Sequence, residues 1–158
     1  MGIHGVTSTV LTDDGKRMIY ISETGNRVMQ YDLENRRQLP YLADFGDTDG
    51  APSMVLVMTQ MPDGKLVIGT GTSVVMLDQY SGNIVHEIKM DRIGWAAVAP
   101  SIDPGHLLLG NFFDGEFVKL RVSDGKIVAR NTIGEERSLS GIAQFQRRSA
   151  DNRGENKR

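Results

Sequence analysis

Apolar and polar positions alternate along the chain in short runs. Arg27-Val28-Met29-Gln30-Tyr31-Asp32 alternates with a period of two, and Met18-Ile19-Tyr20-Ile21 is a compact apolar run just before it. Glu23-Thr24-Gly25-Asn26 separates the two, and Asp14-Gly15-Lys16 precedes them. Short runs rich in Ile, Val and Tyr, bounded by Gly and Asn, predict antiparallel strands joined by tight turns. Val55-Leu56-Val57-Met58 and Leu107-Leu108-Leu109 are continuous apolar runs too short for helices, and they predict strands buried on both faces. No stretch of useful length carries a helical period. The expected fold class is all-β.

The pattern recurs. Asp14-Gly15-Lys16 returns as Asp63-Gly64-Lys65 and, more loosely, as Asp103-Pro104-Gly105-His106, so that 49 residues run from Gly15 to Gly64 and 41 from Gly64 to Gly105. A second turn, Ser81-Gly82-Asn83, returns as Ser123-Asp124-Gly125-Lys126, with 43 residues from Gly82 to Gly125; Glu34-Asn35-Arg36 stands at its place in the first unit. Two turn series at one period, with four strands per unit, are the signature of a β-propeller blade. The expected strands are 6–12, 17–22, 27–32 and a weaker 37–42 in unit one. Unit two has 53–60, 65–70, 73–79 and 84–90, and unit three has 95–100, 106–110, 116–122 and 126–133. The blades then span about 5–45, 51–90 and 94–133 in a single domain. An extra strand at 140–145 resembles the first strand of each unit, and the polar tail 146–158 is expected to be disordered.

The segment from Tyr20 to Asp32, Tyr-Ile-Ser-Glu-Thr-Gly-Asn-Arg-Val-Met-Gln-Tyr-Asp, resembles the NHL repeat and the blades of senescence-marker/gluconolactonase and strictosidine-synthase-like propellers. The resemblance covers the three units and implies the propeller fold. In the gluconolactonase family, Glu, Asn and Asp side chains facing the channel hold a divalent metal. The Pro-Asn-Gly and paired Asp-Gly signatures of that family do not stand at the corresponding places here.

Three units and one strand fall short of the about four blades that a closed ring needs, and six at this period would take roughly 260 residues. Each blade buries apolar faces against both neighbours, so an incomplete array leaves two of them bare. The expectation is a homo-oligomer: two copies meeting first unit to third unit twice would close a ring of about six blades. The alternative is a fragment of a longer chain. Composition changes this picture little. A net charge of −2 gives no footing for nucleic acid or an anionic membrane. The chain has no Cys, which excludes disulfides and thiolate chemistry, and no apolar run approaches a membrane span. The start, Met-Gly-Ile-His-Gly-Val, lacks the basic and apolar segments of a signal peptide, which favours the cytoplasm.

In a propeller, the loops joining strand 2 to strand 3 and one blade to the next gather on one face around the channel. The first set begins at Glu23, Thr70 and Asn111; loops 44–50, 91–94 and 135–138 are the neighbours. Ligand-binding candidates on this face are Glu23, Asn26, Arg27, Thr70, Trp95, Asn111, Phe112 and Asp114. Glu23 and Asn111 offer oxygens to Ca²⁺ or another divalent metal, and they also suit turns that hold no metal. Trp95 and Phe112-Phe113 offer rings for stacking a planar ligand, or for packing between blades. Loop 44–50 carries three acids but lacks the final bidentate Glu of an EF-hand. Gly69-Thr70-Gly71 follows a strand and precedes another, so it reads as a hairpin rather than a phosphate cradle. His4, His86 and His106 are scattered, and no Gly-x-Ser-x-Gly elbow occurs. The favoured function is a non-catalytic propeller module binding a protein or small ligand on this face. The alternatives are a metal-dependent lactonase or hydrolase of the gluconolactonase type, carried by Glu23, Asn111 and an acid such as Asp114, and a truncated remnant without activity.

Overall fold

Aspartates and glycines set the hairpins. Asp14 Oδ1 accepts the Lys16 N–H at 3.0 Å and Asp63 Oδ1 accepts the Lys65 N–H at 3.3 Å, each across a glycine of positive φ. At the turns joining strand 3 to strand 4, Asp32, Asp78 and Asp124 accept backbone N–H groups from Asn35, Ser81 and Lys126 in the same way. Short acidic side chains that hydrogen-bond the chain just ahead are what tight turns select.

The protein is described here from a computed structural model, covering residues 6–22, 26–46, 55 and 57–132. No helix occurs among them. The first sheet runs β1 (Val6–Leu11), β2 (Arg17–Ser22), β3 (Arg27–Asp32) and β4 (Arg37–Gln38), with β5 (Ala43–Asp44) also on β3. The second runs β6 (Val57–Gln60), β7 (Leu66–Gly69), β8 (Ser73–Leu77) and β9 (Ile84–Lys89). The third runs β10 (Trp95–Pro100), β11 (His106–Asn111), β12 (Glu116–Arg121) and β13 (Lys126–Thr132). Every strand pairing is antiparallel and, apart from β5 on β3, joins chain neighbours, as in propeller blades: three blades of an incomplete ring.

The fourth strand of the first blade departs from the expected 37–42. Leu39 N donates to Gln30 O and Leu42 N to Val28 O, so three residues on this strand span two on β3. The surplus forms a bulge at Pro40, whose ring leaves no N–H to pair. Gln30 caps it by donating from Nε2 to Pro40 O at 3.0 Å. The extra strand at 140–145, the tail and the start of the expected strand 53–60 lie outside the described residues, apart from Val55.

The blades stack through two apolar layers. Ile19, Ile21 and Val28 of the first blade meet Leu66, Ile68, Val75 and Leu77 of the second. Val67, Val74 and Met76, on the second blade's other side, meet Leu107, Leu109, Val118 and Leu120 of the third. The middle sheet is therefore walled on both sides, and β7 and β8 are buried at every position. That is why Leu66-Val67-Ile68 is continuously apolar, whereas β3 alternates. Each fully buried Val, Leu or Ile is worth about 1.5–3 kcal/mol, so these layers dominate the stability.

Polar knots lock the layers at one end. Gln79, 5% exposed, accepts the Asp13 N–H at 2.9 Å and donates from Nε2 to Asp13 Oδ2 at 2.7 Å, while Gln60 donates to Asp13 Oδ1 at 2.9 Å. A turn of the first blade is thus tied to the end of β6 and to the turn after β8 in the second.

Candidate functional site

Backbone hydrogen bonds fix which loop positions correspond. Thr12, Met61 and Ser101 donate to the carbonyls of Arg17, Lys65 and His106, so those three acceptors are equivalent. Counting five residues on puts Ser22, Thr70 and Asn111 level at the end of strand 2. The alignment expected from sequence places Glu23 with Thr70 and Asn111, one residue too far along. The cause is that polarity alone marks the strand end in sequence, whereas the hydrogen-bond register counts from its start. Glu23 itself lies outside the described residues, as do residues 47–50 of loop 44–50 and all of loop 135–138.

Among the described residues, the loops at the third blade form the densest polar constellation on this face. Asn111 is fully buried; its Nδ2 donates to Ile93 O at 2.9 Å and its Oδ1 accepts the Phe113 N–H at 2.9 Å. It thereby bolts the loop after strand 2 to the connection between the second and third blades. Backbone bonds reinforce the joint: Phe112 N donates to Gly94 O at 2.8 Å, and Gly94 N to Gly71 O at 2.9 Å.

Arg92 forms a second clamp. It donates to Asp114 Oδ2 from Nε at 2.9 Å, to Asp91 Oδ2 at 3.0 Å, and to Glu116. Arg130 donates to Glu116 Oε1 at 3.0 Å and reaches Asp91 at 3.4 Å. The Glu116 hydrogen bond, opposed by some burial and joined by Asp114, raises the Arg92 pKa and holds the guanidinium charged. Partial burial raises the Asp114 pKa, but the Glu116 N–H and Arg92 outweigh it and keep the carboxyl below its ordinary range. Asp91 behaves likewise, with Arg92 and then Arg130 outweighing burial. The network holds two cations and three anions, all committed to one another.

The remaining candidates stand apart. Trp95 is 1% exposed and packs in the layer between the second and third blades, so its ring is closed to a stacking ligand. Its Nε1 donates to Asp91 Oδ1 at 3.3 Å, and the Arg92 guanidinium lies 5.0 Å from the ring centroid. Phe112 meets Phe113 edge-on at 5.7 Å. In the first blade, Arg27 pairs with Asp44 at 2.9 Å and stacks 4.9 Å from the Tyr41 centroid, and Asn26 O accepts the Phe45 N–H. Thr70 is buried, its hydroxyl donating to Ser73 O and accepting the Ser73 N–H across a two-residue hairpin. It lies in a cleft of about 570 Å³ between the first and second blades, with Thr72, Glu87 and Lys89. The structure thus brings together Trp95, Asn111, Phe112 and Asp114, and leaves Asn26, Arg27 and Thr70 elsewhere.

Arg92, Glu116 and Arg130 escape sequence reasoning because they come from three different segments. The available signal was the opposite charges at the tips of strands 3 and 4. Among the described residues, no group of three or more His, Asp or Glu side chains is placed to hold a metal. His86 Nε2 and His106 Nδ1 each lie beside a turn carbonyl, of Val122 and of Pro104. Exposed at the face are Ile93 at 62% and Phe113 at 48%. They stand close together, because Phe113 lies against Gly94, the residue after Ile93.

No protein-family model matches the sequence, and no curated protein does. Solved structures do. U3-55K aligns with a TM-score of 0.67 at 17% identity, over 86% of this chain and 42% of that one. The WD40 repeats of RRP9 align with a TM-score of 0.68 at 17% identity, over 86% and 41%. The hydrazine synthase of Kuenenia stuttgartiensis aligns with a TM-score of 0.65 at 15% identity, over 81% and 37%. The chain spans less than half the length of each of these proteins. At such identities the likeness establishes the fold alone: β-propeller blades.

Proposed function

We propose that this chain is a non-catalytic propeller module that binds a protein partner on the face formed by the strand 2–3 loops and the interblade loops. The observation that carries the reading is the exposed pair Ile93 and Phe113 on a rigid rim. Asn111 and Arg92 hold both loops by side-chain bonds, so the pair is presented without further ordering cost. An apolar anchor ringed by charged side chains is the usual composition of an interaction hot spot. The lactonase alternative is not favoured, because Asn111 already spends both polar atoms on loop backbone. Within the fold, the form of the segment from Tyr20 to Asp32 supports a place near the NHL and gluconolactonase-type blades. The same reading has the ring completed by assembly, with two copies closing it.

The test compares proteins recovered on the wild-type chain and on the Ile93→Asp/Phe113→Asp variant. A partner retained by the first and lost by the second, with circular dichroism unchanged, is the expected result. Equal recovery on both chains would refute this face.

A further inference from the structure

We infer that the bare face of the first blade, built on Met18, Tyr20, Met29 and Tyr31, docks the outward face of the third blade of a second copy of this chain. The inference rests on the ring-closing part of the reading above and assigns it a surface.

Register supplies the argument. With Arg17, Lys65 and His106 equivalent, the strand pairings make four positions of each blade correspond. In the second blade they are Leu66, Ile68, Val75 and Leu77, all 0–3% exposed against the first blade. In the third they are Leu107, Leu109, Val118 and Leu120, all 0–1% exposed against the second. In the first blade the same four positions hold Met18, Tyr20, Met29 and Tyr31, which are only half-buried. A sheet face meant for water would carry polar residues at these alternate positions. Here all four are large and mainly apolar.

What covers such a face is already visible twice in this chain. In both layers it is the opposite side of a neighbouring blade. The third blade offers that side, with Phe117, half-buried, at the position of Val28 and Val74. The residue types also differ in an informative way. The internal layers use Leu, Ile and Val, whereas the bare face uses Met and Tyr, which adapt to a separately folded surface and tolerate water at their polar tips. Tyr20 shows this directly, its hydroxyl donating to Gln38 Oε1 at 2.7 Å. Leu11, the cross-strand partner of Met18, extends the patch and is 54% exposed.

The experiment is light scattering on a sizing column with the full chain, across a dilution series. The expected wild-type mass is twice the 17.4 kDa of one chain. Tyr20→Arg and Leu11→Arg bury an unpaired charge in the joint, and each should weaken dimerisation by about 100-fold while Ile93→Asp leaves it unchanged. Leu11 is exposed, so its variant folds even if Tyr20→Arg does not, and circular dichroism checks both. A dimer indifferent to both arginines overturns this surface but spares assembly by another face. A monodisperse monomer overturns the surface and ring closure together. Open-ended aggregation that only appended blades relieve also overturns the second copy, showing that further chain covers the face.

Discussion

Replacing Gly82 by Ala tests the contact between the outer edges of the first two blades. Gly82 has φ +71° in the turn after β8, and a Cβ there would be driven into the carbonyl of Leu42, with the Leu42 Cγ 3.2 Å away. Gly105 has the same φ of +71° with nothing within 4 Å of a built Cβ, so Gly105→Ala is a matched control. Left-handed backbone costs a non-glycine residue about 1–2 kcal/mol, and both variants bear that cost. Only Gly82→Ala must also move Leu42, whose N–H donates to Val28 O at 2.7 Å and whose side chain sits in the first apolar layer. Losing that bond costs about 1 kcal/mol, and partly uncovering a leucine costs about 1–3 kcal/mol more. The expected difference between the variants is therefore about 2–4 kcal/mol. Denaturant unfolding would measure it, at one fixed protein concentration because assembly shifts apparent stability. It can be followed by circular dichroism and by the fluorescence of Trp95, the chain's single tryptophan. Equal losses, within about 0.5 kcal/mol, would show that the turn does not press on Leu42.

Two further outcomes follow from the polar groups. Asn111→Ala should cost about 1–3 kcal/mol, since it leaves the Phe113 N–H and the Ile93 carbonyl without their partner; a melting temperature within a degree of wild type would contradict the bolt. The carboxylates also set an acid limit. Asp124 is held at about 2 by the hydrogen bond from Arg121, and Asp114 and Asp91 also lie below their ordinary value. A depressed carboxyl contributes stability that is complete above its unfolded value and lost as pH falls through its folded one. The melting temperature should stay level above about pH 5 and fall between about pH 4 and pH 2. A decline beginning near pH 6 would point to other groups.

The fold was legible because its signals are local. β2, β3 and β10 have the bounds expected from sequence, since alternation and turn residues lie within a few positions of one another. The bulge at Pro40 was not legible as a split strand, because it depends on which carbonyls of β3 the next strand can reach. The site was readable only in part. Trp95, Asn111, Phe112 and Asp114 fall together because one loop and one strand end carry them. The rest of the clamp comes from elsewhere: Arg92, the partner of Asp114, arrives on the preceding connection, and Arg130, the partner of Glu116, on the last described strand. No spacing in the sequence announces such a meeting. Trp95 has the composition of a ligand-stacking residue, but its burial is decided by the neighbouring blade.

The double walling of the middle blade has a consequence for how the molecule opens. β7 and β8 lend one side to each apolar layer, so they can separate from the rest only when both neighbours let go. The first and third blades each need release only one layer. Local unfolding thus has a direction, inward from either end, with the middle hairpin as the last element to exchange its amide hydrogens. Closing the array into a ring would erase that direction, because a circle of blades has no end from which to begin.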